Sequence, residues 1–241
     1  MLPLPRLSNL YAFVKHLLKE FTSINFIKQK LKKAAIYLNF YGFEKKMFYC
    51  VPMSEKVKIK AGSILISEPF LADPNFSRTV VYIAEHDANG TVGFVVNQPM
   101  GLMLKDVIPT EPTEDFLDIP LFTGGPVGND TLHVIHQLGD HVKGSKFISQ
   151  HTYWGGDFEQ IKFLIGNKNA DTRDFKFFVG YSGWGPGQLE SEIESNSWIV
   201  MKGSSDLVFG ETDTKTWEKA LEQKGGKFKL YQNSPLRPDW N

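Results

Sequence analysis

Thr79-Val80-Val81-Tyr82-Ile83, then Asp87-Ala88-Asn89-Gly90, then Thr91-Val92-Gly93-Phe94-Val95-Val96: this stretch decides the fold class. The first and last segments are β-branched and aromatic, which suits strands. Between them sit turn-forming residues, so the stretch predicts an antiparallel hairpin with a loop of about four residues. Gly93 inside the second strand marks a bulge or a close approach of another backbone. Upstream, Ser63-Ile64-Leu65-Ile66 is a short apolar run between Gly62 and Pro69, as expected of a buried strand.

Downstream, residues 102–108 predict a helical turn ahead of a polar loop, and Leu121-Phe122 leads into Gly124-Gly125-Pro126-Val127. Thr131 to His136 alternates, with Leu132, Val134 and His136 on one face and Thr131, His133 and Ile135 on the other. A helix is expected from Phe158 to Ile165, capped by Asp157. Asp174 to Tyr181 predicts a strand built on Phe175, Phe177, Phe178 and Val179. A Gly-rich turn then joins it to a helix near Gln188–Ser195. Trp198–Met201 and Asp206–Phe209 read as strands, and a final helix spans about Asp213 to Lys224, capped by Asp213 or Thr214. In that helix Trp217 and Leu221 share a face and Gly225 ends it. Strands arrive in adjacent groups rather than alternating with helices, which favours α+β with a largely antiparallel sheet.

The chain of 241 residues has zero formal net charge, but the charge is unevenly distributed. Residues 1–52 carry nine Lys or Arg against Glu20 and Glu44, a net +7, leaving −7 for residues 53–241. This asymmetry separates a basic leader from a domain. Phe13, Leu17, Leu18 and Phe21 are near helical spacing, compatible with a short amphipathic helix. The leader lacks the apolar core and cleavage site of a secretory signal. It is expected to be a disordered or upstream-translated segment, with the functional start at Met53. A single domain is expected over 53–226, followed by a tail over 227–241. The lone cysteine, Cys50, lies before the domain, which excludes a disulfide framework or cysteine metal site within it and fits a cytoplasmic protein. No membrane span is expected.

Three separated segments carry a resemblance. They are Gly62–Ser67 with Phe76–Val81 and Glu85-His86; Gly93–Pro99 with Gly124–Val127; and Gly180–Glu190 with Asn196-Ser197-Trp198. Together they resemble the YqgE/AlgH family, small bacterial proteins often described as transcriptional regulators, over about residues 60–226. The resemblance implies a split β-sheet flanked by helices and brings no catalytic residues with it. Ser182 stands where that family often has Ala, and Gln98 where Arg or Lys is common.

The loops of these motifs supply the candidate site: Asn97 and Pro99, Gly124, Gly125 and Pro126, and Tyr181, Trp184, Gln188 and Glu190. Glycines, prolines, amides and aromatics concentrate there, as in a ligand groove. The G-x-G-x-G spacing at 183–187 is not a phosphate-loop fingerprint, and Glu190, Glu192 and Glu194 would oppose a phosphate. Ser182 lacks the closing glycine of a nucleophile elbow, with Trp184 in its place. His133 and His136, on opposite strand faces, cannot chelate one ion; one is expected packed and the other exposed. No metal or cofactor is expected.

A net-negative domain whose clearest helix is acidic disfavours direct DNA binding. The leading expectation is a binding or regulatory protein with an unidentified protein or small-molecule partner. The alternative is an enzyme on a small metabolite, with Glu190 or Glu194 as acid/base and His86 assisting.

Overall fold

The structure is a computed structural model that describes residues 58–108, 118–210 and 215–234. The expectations for the leader and for capping by Asp213 or Thr214 lie outside the described residues.

Ten strands form one sheet: β1 (Ser63–Ser67), β2 (Val80–Asp87), β3 (Gly90–Val95), β4 (Pro99–Met103), β5 (Pro120–Thr123), β6 (Val127–His136), β7 (Lys146–Ser149), β8 (Thr152–Trp154), β9 (Phe175–Trp184) and β10 (Trp198–Lys202). The main order is β10-β1-β2-β3-β9-β6-β8-β7, with β4 paired to β5 and β5 to β9. All pairings are antiparallel except β5 with β9. The α+β class and the largely antiparallel sheet expected from the sequence are present.

The sheet forks at β9. One edge of this strand pairs with β6. Its other edge pairs first with β5, through Phe177, Phe178 and Val179, and then with β3, through Ser182, Gly183 and Trp184.

Helices cover both faces, because strands buried on both sides need apolar residues at successive positions. On one face α3 (Ser205–Phe209) and α4 (Thr216–Lys224) bring Leu207, Val208, Trp217, Ala220 and Leu221 onto Ile64, Ile66, Tyr82, Phe94, Phe122 and Phe178. On the other, α1 (Phe158–Gly166) lays Ile161 and Ile165 on Leu121, Val134 and Phe177. There too, α2 (Gln188–Glu194) lays Leu189 on Leu65, Val81 and Val95. Asp157 caps α1 by accepting from the Gln160 amide, as its position before the apolar run suggests. Trp217 is fully buried and donates its indole N–H to the Ser67 carbonyl at 3.0 Å.

Several local expectations change. Asp206–Phe209, expected as a strand, lies within helix α3. Leu207 and Val208, neighbours in sequence, both enter the same core, whereas a strand would send them to opposite faces. The β2–β3 hairpin turns through two residues, Ala88 and Asn89, since Asp87 already pairs with Gly90. Residues 99–103 are strand β4, and only Leu104–Asp106 makes a helical turn. Gly226–Asn233 continues beyond α4 as a 3-10 helix, and its Phe228 and Tyr231 pack on the core. A β-bulge between Ile83 and Glu85 faces Gly93, where a Cβ would come within 2.8 Å of Val81.

Candidate functional site

Some of the motif residues, Gly124, Gly125, Gly180 and Ser182, meet at the fork of the sheet. Gly124 sits at the branch: its amide donates to Val179 and its carbonyl accepts from Val95, both at 2.9 Å. The chain then crosses over β9 so closely that side chains are excluded. A Cβ on Gly124 would lie 2.1 Å from the Gly180 carbonyl oxygen, and one on Gly125 would lie 2.3 Å from Ser182 Oγ. Gly180, in the left-handed region at φ 69°, faces the carbonyls of Val127 and Gly125 in the same crossing. Glycine is therefore required at this crossing by the approach of two backbones.

The polar groups of the same motifs are engaged inside the fold. Asn97 is 4% exposed; its Oδ1 accepts from the Val80 amide at 2.8 Å and its Nδ2 donates to the Arg78 carbonyl at 3.0 Å. Arg78 adopts φ 50°, so this amide pins a left-handed turn. Buried Ser182 donates its hydroxyl to the Gly124 carbonyl at 3.0 Å. Gln188 accepts from the Gly185 amide and donates to Glu192 Oε1, each at 3.0 Å. Glu192 Oε2 also receives both indole N–H groups, from Trp184 at 2.9 Å and Trp198 at 2.7 Å. Phe76 stacks on the first ring and meets the second edge-on, so both tryptophans belong to the core.

The remaining candidates lie at the surface. Pro99 is the exposed first residue of β4, opposite Phe122. Pro126 is exposed, and Tyr181 is half-buried with its ring against His133. Glu190 is exposed, with Oε1 3.6 Å from His86 Nε2, while His86 Nδ1 is 2.7 Å from Thr91 Oγ1.

The structure thus joins the Gly124 segment to β9 and links Gln98 to Thr123 by a 2.9 Å backbone bond. Trp184, by contrast, pairs with Thr91, at the opposite end of β3 from Asn97. Six residues of extended chain separate Thr91 from Asn97, roughly 20 Å.

His133 and His136 do face opposite ways, but both are packed. His133 contacts the rings of Phe94, Trp154 and Tyr181. Fully buried His136 accepts the Leu138 amide at Nδ1, which places its proton on Nε2, facing Ser145 Oγ and the Gly155 carbonyl. In this tautomer His136 is no base toward Ser145. Burial lowers both histidine pKa values below 6.5. Among the described residues no three His, Cys, Asp or Glu side chains are placed to hold a metal ion.

A recess of about 380 Å³ opens beside the fork. Its apolar walls are Ile119, Pro120 and Phe122 from the β5 segment, Phe175 of β9, and Phe209 of α3. Lys176, 5% exposed, extends from β9 with Nζ 3.9 Å from the centre of the Phe122 ring. Desolvation pushes its pKa down to about 7. At the rim, Arg173 is held by both carboxylate oxygens of Asp171, and Asp118 pairs with Lys105. None of the nine motif candidates lines this recess, although Phe122 lies on β5 just before Gly124 and Lys176 shares β9 with Gly180. The sequence does carry a signal for it: in the strand over 174–181, alternation puts a lysine on the face of Phe178, where a buried strand has no room for a charge.

Comparison with known proteins supplies the relationship. The family model described as AlgH-like matches residues 64–229. A UPF0301 protein of Chlorobaculum tepidum is 39% identical over 76% of this chain and 96% of its own length. One from Cytophaga hutchinsonii is 39% identical over 75% and 98%. Among solved structures, the AlgH protein from Pseudomonas aeruginosa superposes with a TM-score of 0.59 at 26% identity, covering 73% of this chain and 94% of that one. A Corynebacterium diphtheriae protein with the same TM-score, at 22% identity and with 73% and 93% covered, shares the fold.

Proposed function

The chain belongs to the AlgH-like family, and on that footing we propose that it is a cytoplasmic binding protein with a regulatory role. It acts by holding a small molecule or a protein, not by catalysis or by gripping duplex DNA. The observation that carries this reading is the recess beside Lys176. It lies within the size range of ligand pockets, is walled by apolar side chains and holds one buried cationic group. Support comes also from the motif loops, where Asn97, Ser182, Gln188 and Glu192 each serve internal bonds instead of facing a substrate. The recess and the fork share β5 and β9, so a ligand in the recess touches the strands that meet at the fork.

Against direct DNA binding stands the net −7 of residues 53–241. Helix α2, moreover, displays the carboxylate of Glu190 at its exposed start. Native mass spectrometry of the protein purified from cell extract tests the proposal. A retained small ligand or a stoichiometric partner supports it; salt-sensitive binding to duplex DNA by the isolated protein sinks it.

A second reading, an enzyme acting on a small metabolite, is favoured by one contact. His86 and Glu190 come from different elements yet meet at 3.6 Å, with Thr91 behind the imidazole. This is the arrangement of an oriented acid/base pair. Metabolite turnover by the native chain that disappears in both His86→Ala and Glu190→Gln, with folding unchanged, would establish this reading over the first.

A further inference from the structure

We propose that Arg78 is a receptor for a small carboxylic acid, and that the tail of the chain occupies its guanidinium until such a ligand displaces it. None of the residues that build this site lines the recess beside Lys176, so the two readings can fail separately.

The backbone marks the position. Arg78 adopts φ 50°, a left-handed conformation that costs free energy for any residue with a Cβ. Such strain persists only where the surroundings enforce it, and here buried groups do so. Asn97 holds both the Arg78 carbonyl and the Val80 amide. Thr79, fully buried, donates its hydroxyl to the Phe76 carbonyl at 3.1 Å and its amide to Ser67 Oγ at 2.9 Å. Trp217 donates to the Ser67 carbonyl and sets its ring 5.0 Å from the guanidinium carbon, where the aromatic face attracts a cation. Parts of two motifs and one helix therefore combine to fix a single arginine. A turn that served only to redirect the chain would be met at less cost by glycine.

The guanidinium is only half satisfied. Its Nη2 donates to the carbonyl of Ser234, the residue that ends the 3-10 helix over Gly226–Asn233. Its Nε is buried and bonds to nothing, the one side-chain nitrogen or oxygen in that state among the described residues. No carboxylate among the described residues pairs with it. Nε and Nη2 form the side-on fork of an arginine, the same pair through which Asp171 holds Arg173 with two oxygens. One carbonyl oxygen does not span that fork; a carboxylate does. It also supplies the opposite charge that a partly buried cation lacks. A lone guanidinium balances one negative charge, and the net −7 of residues 53–241 opposes more, which favours a carboxylate over a phosphate dianion.

A carboxylate reaches both nitrogens only by taking the place of the Ser234 carbonyl. Ligand entry is thus coupled to release of the tail, which is otherwise anchored by Phe228 and Tyr231, packed on the core with their rings edge-on at 5.9 Å.

The test is a titration of the full chain, isotope-labelled at arginine and serine, with acetate at constant ionic strength, followed by nuclear magnetic resonance. Acetamide serves as the neutral isostere and inorganic phosphate as the multivalent anion. The Arg78 Nε–H and Ser234 amide signals are expected to move along one saturating curve, at acetate concentrations at least tenfold below those of either comparator. Tyr231→Ala loosens the tail without touching the fork and is expected to tighten acetate binding about threefold, because less of the protein is held closed. Arg78→Lys keeps the charge but not the fork, and is expected to lose the saturable response. Should that variant fail to fold, the comparison of acetate with acetamide and the Tyr231→Ala affinity still decide. Equal responses to acetate and acetamide, an acetate shift that never saturates, or a Ser234 amide that stays still while Nε–H moves overturns the proposal. Unchanged affinity in Tyr231→Ala overturns the displacement by the tail, and tighter binding of phosphate overturns the carboxylate assignment.

Discussion

The hydroxyl of Ser182 donates to the carbonyl oxygen of Gly124 across 58 positions of sequence, at 3.0 Å in a buried setting. This bond closes the branch of the sheet from below, while the Val179 carbonyl and the Val95 amide close it from the sides. The hydroxyl and the carbonyl joined here are thus part of a junction between strands.

The junction sets a steep difference between two substitutions. Gly124→Ala places a methyl where the Gly180 carbonyl oxygen already stands, 2.1 Å away, with the Gly180 carbonyl carbon and Phe178 Cβ close behind. A loss of about 3 kcal/mol in urea denaturation is expected. Ser182→Ala removes one hydroxyl but leaves the Gly124 carbonyl its bond from Val95, so a loss of about 1 kcal/mol is expected. Equal costs for the two would contradict the crossing described above.

Glu192 ties α2 to two indoles and to Gln188. Glu192→Ala leaves both indole N–H groups without their charged acceptor, and about 3 kcal/mol of stability is expected to go with it. The tryptophan bands of near-ultraviolet circular dichroism should weaken at the same time, with the share of the buried Trp217 retained. Glu190→Gln, on the exposed side of that helix, is expected to change stability by less than about 0.5 kcal/mol.

Lys176 makes the domain more stable in mild alkali. The folded pKa of about 7 lies below the ordinary 10.5, so between those values the unfolded chain binds more protons and stability rises with pH. The slope from this one group is at most about 1.4 kcal/mol per pH unit. Thermal melts between pH 7 and 10 should show the rise, and Lys176→Met should flatten it.

His136 and His133 act on the acid side. Burial lowers both pKa values from 6.5, so the folded state resists protonation that the unfolded chain accepts. Their contribution is intact above pH 6.5 and falls away as the pH drops through the folded values. Melting temperatures at pH 5 and pH 7.5 measure the loss. His136→Gln, which keeps a donor and an acceptor but does not titrate, should narrow the gap.

Much of the architecture could be read from residue patterns because burial imposes them. The β2–β3 hairpin, β9 and the α1 cap at Asp157 all follow from alternation and turn chemistry. Asp206–Phe209 misled because a four-residue apolar run fits a buried strand as well as one turn of helix, and only the common core of Leu207 and Val208 decides between them. β4 was hidden by Pro99 and Gly101, which read as loop residues in isolation. For the site, Gly124 and Gly125 stand out in the sequence as unusual. Glycines that admit a ligand and glycines that admit another strand leave the same trace in sequence, however, and distance is needed to tell them apart. Lys176 escaped notice among phenylalanines, since the two faces of a strand cannot be assigned a depth before the covering layer, here α3, is known.

The parallel pairing of β5 with β9 has a kinetic consequence. Leu121 meets Phe177 only after more than fifty intervening residues have been drawn into place, including β6 through β8 and α1. Loop closure of that length is entropically late, and side-by-side strands of equal direction cannot zip from a tight turn. The hairpin and meander segments can therefore assemble first, with the branch point sealing last and setting the pace at which the chain reaches its native state.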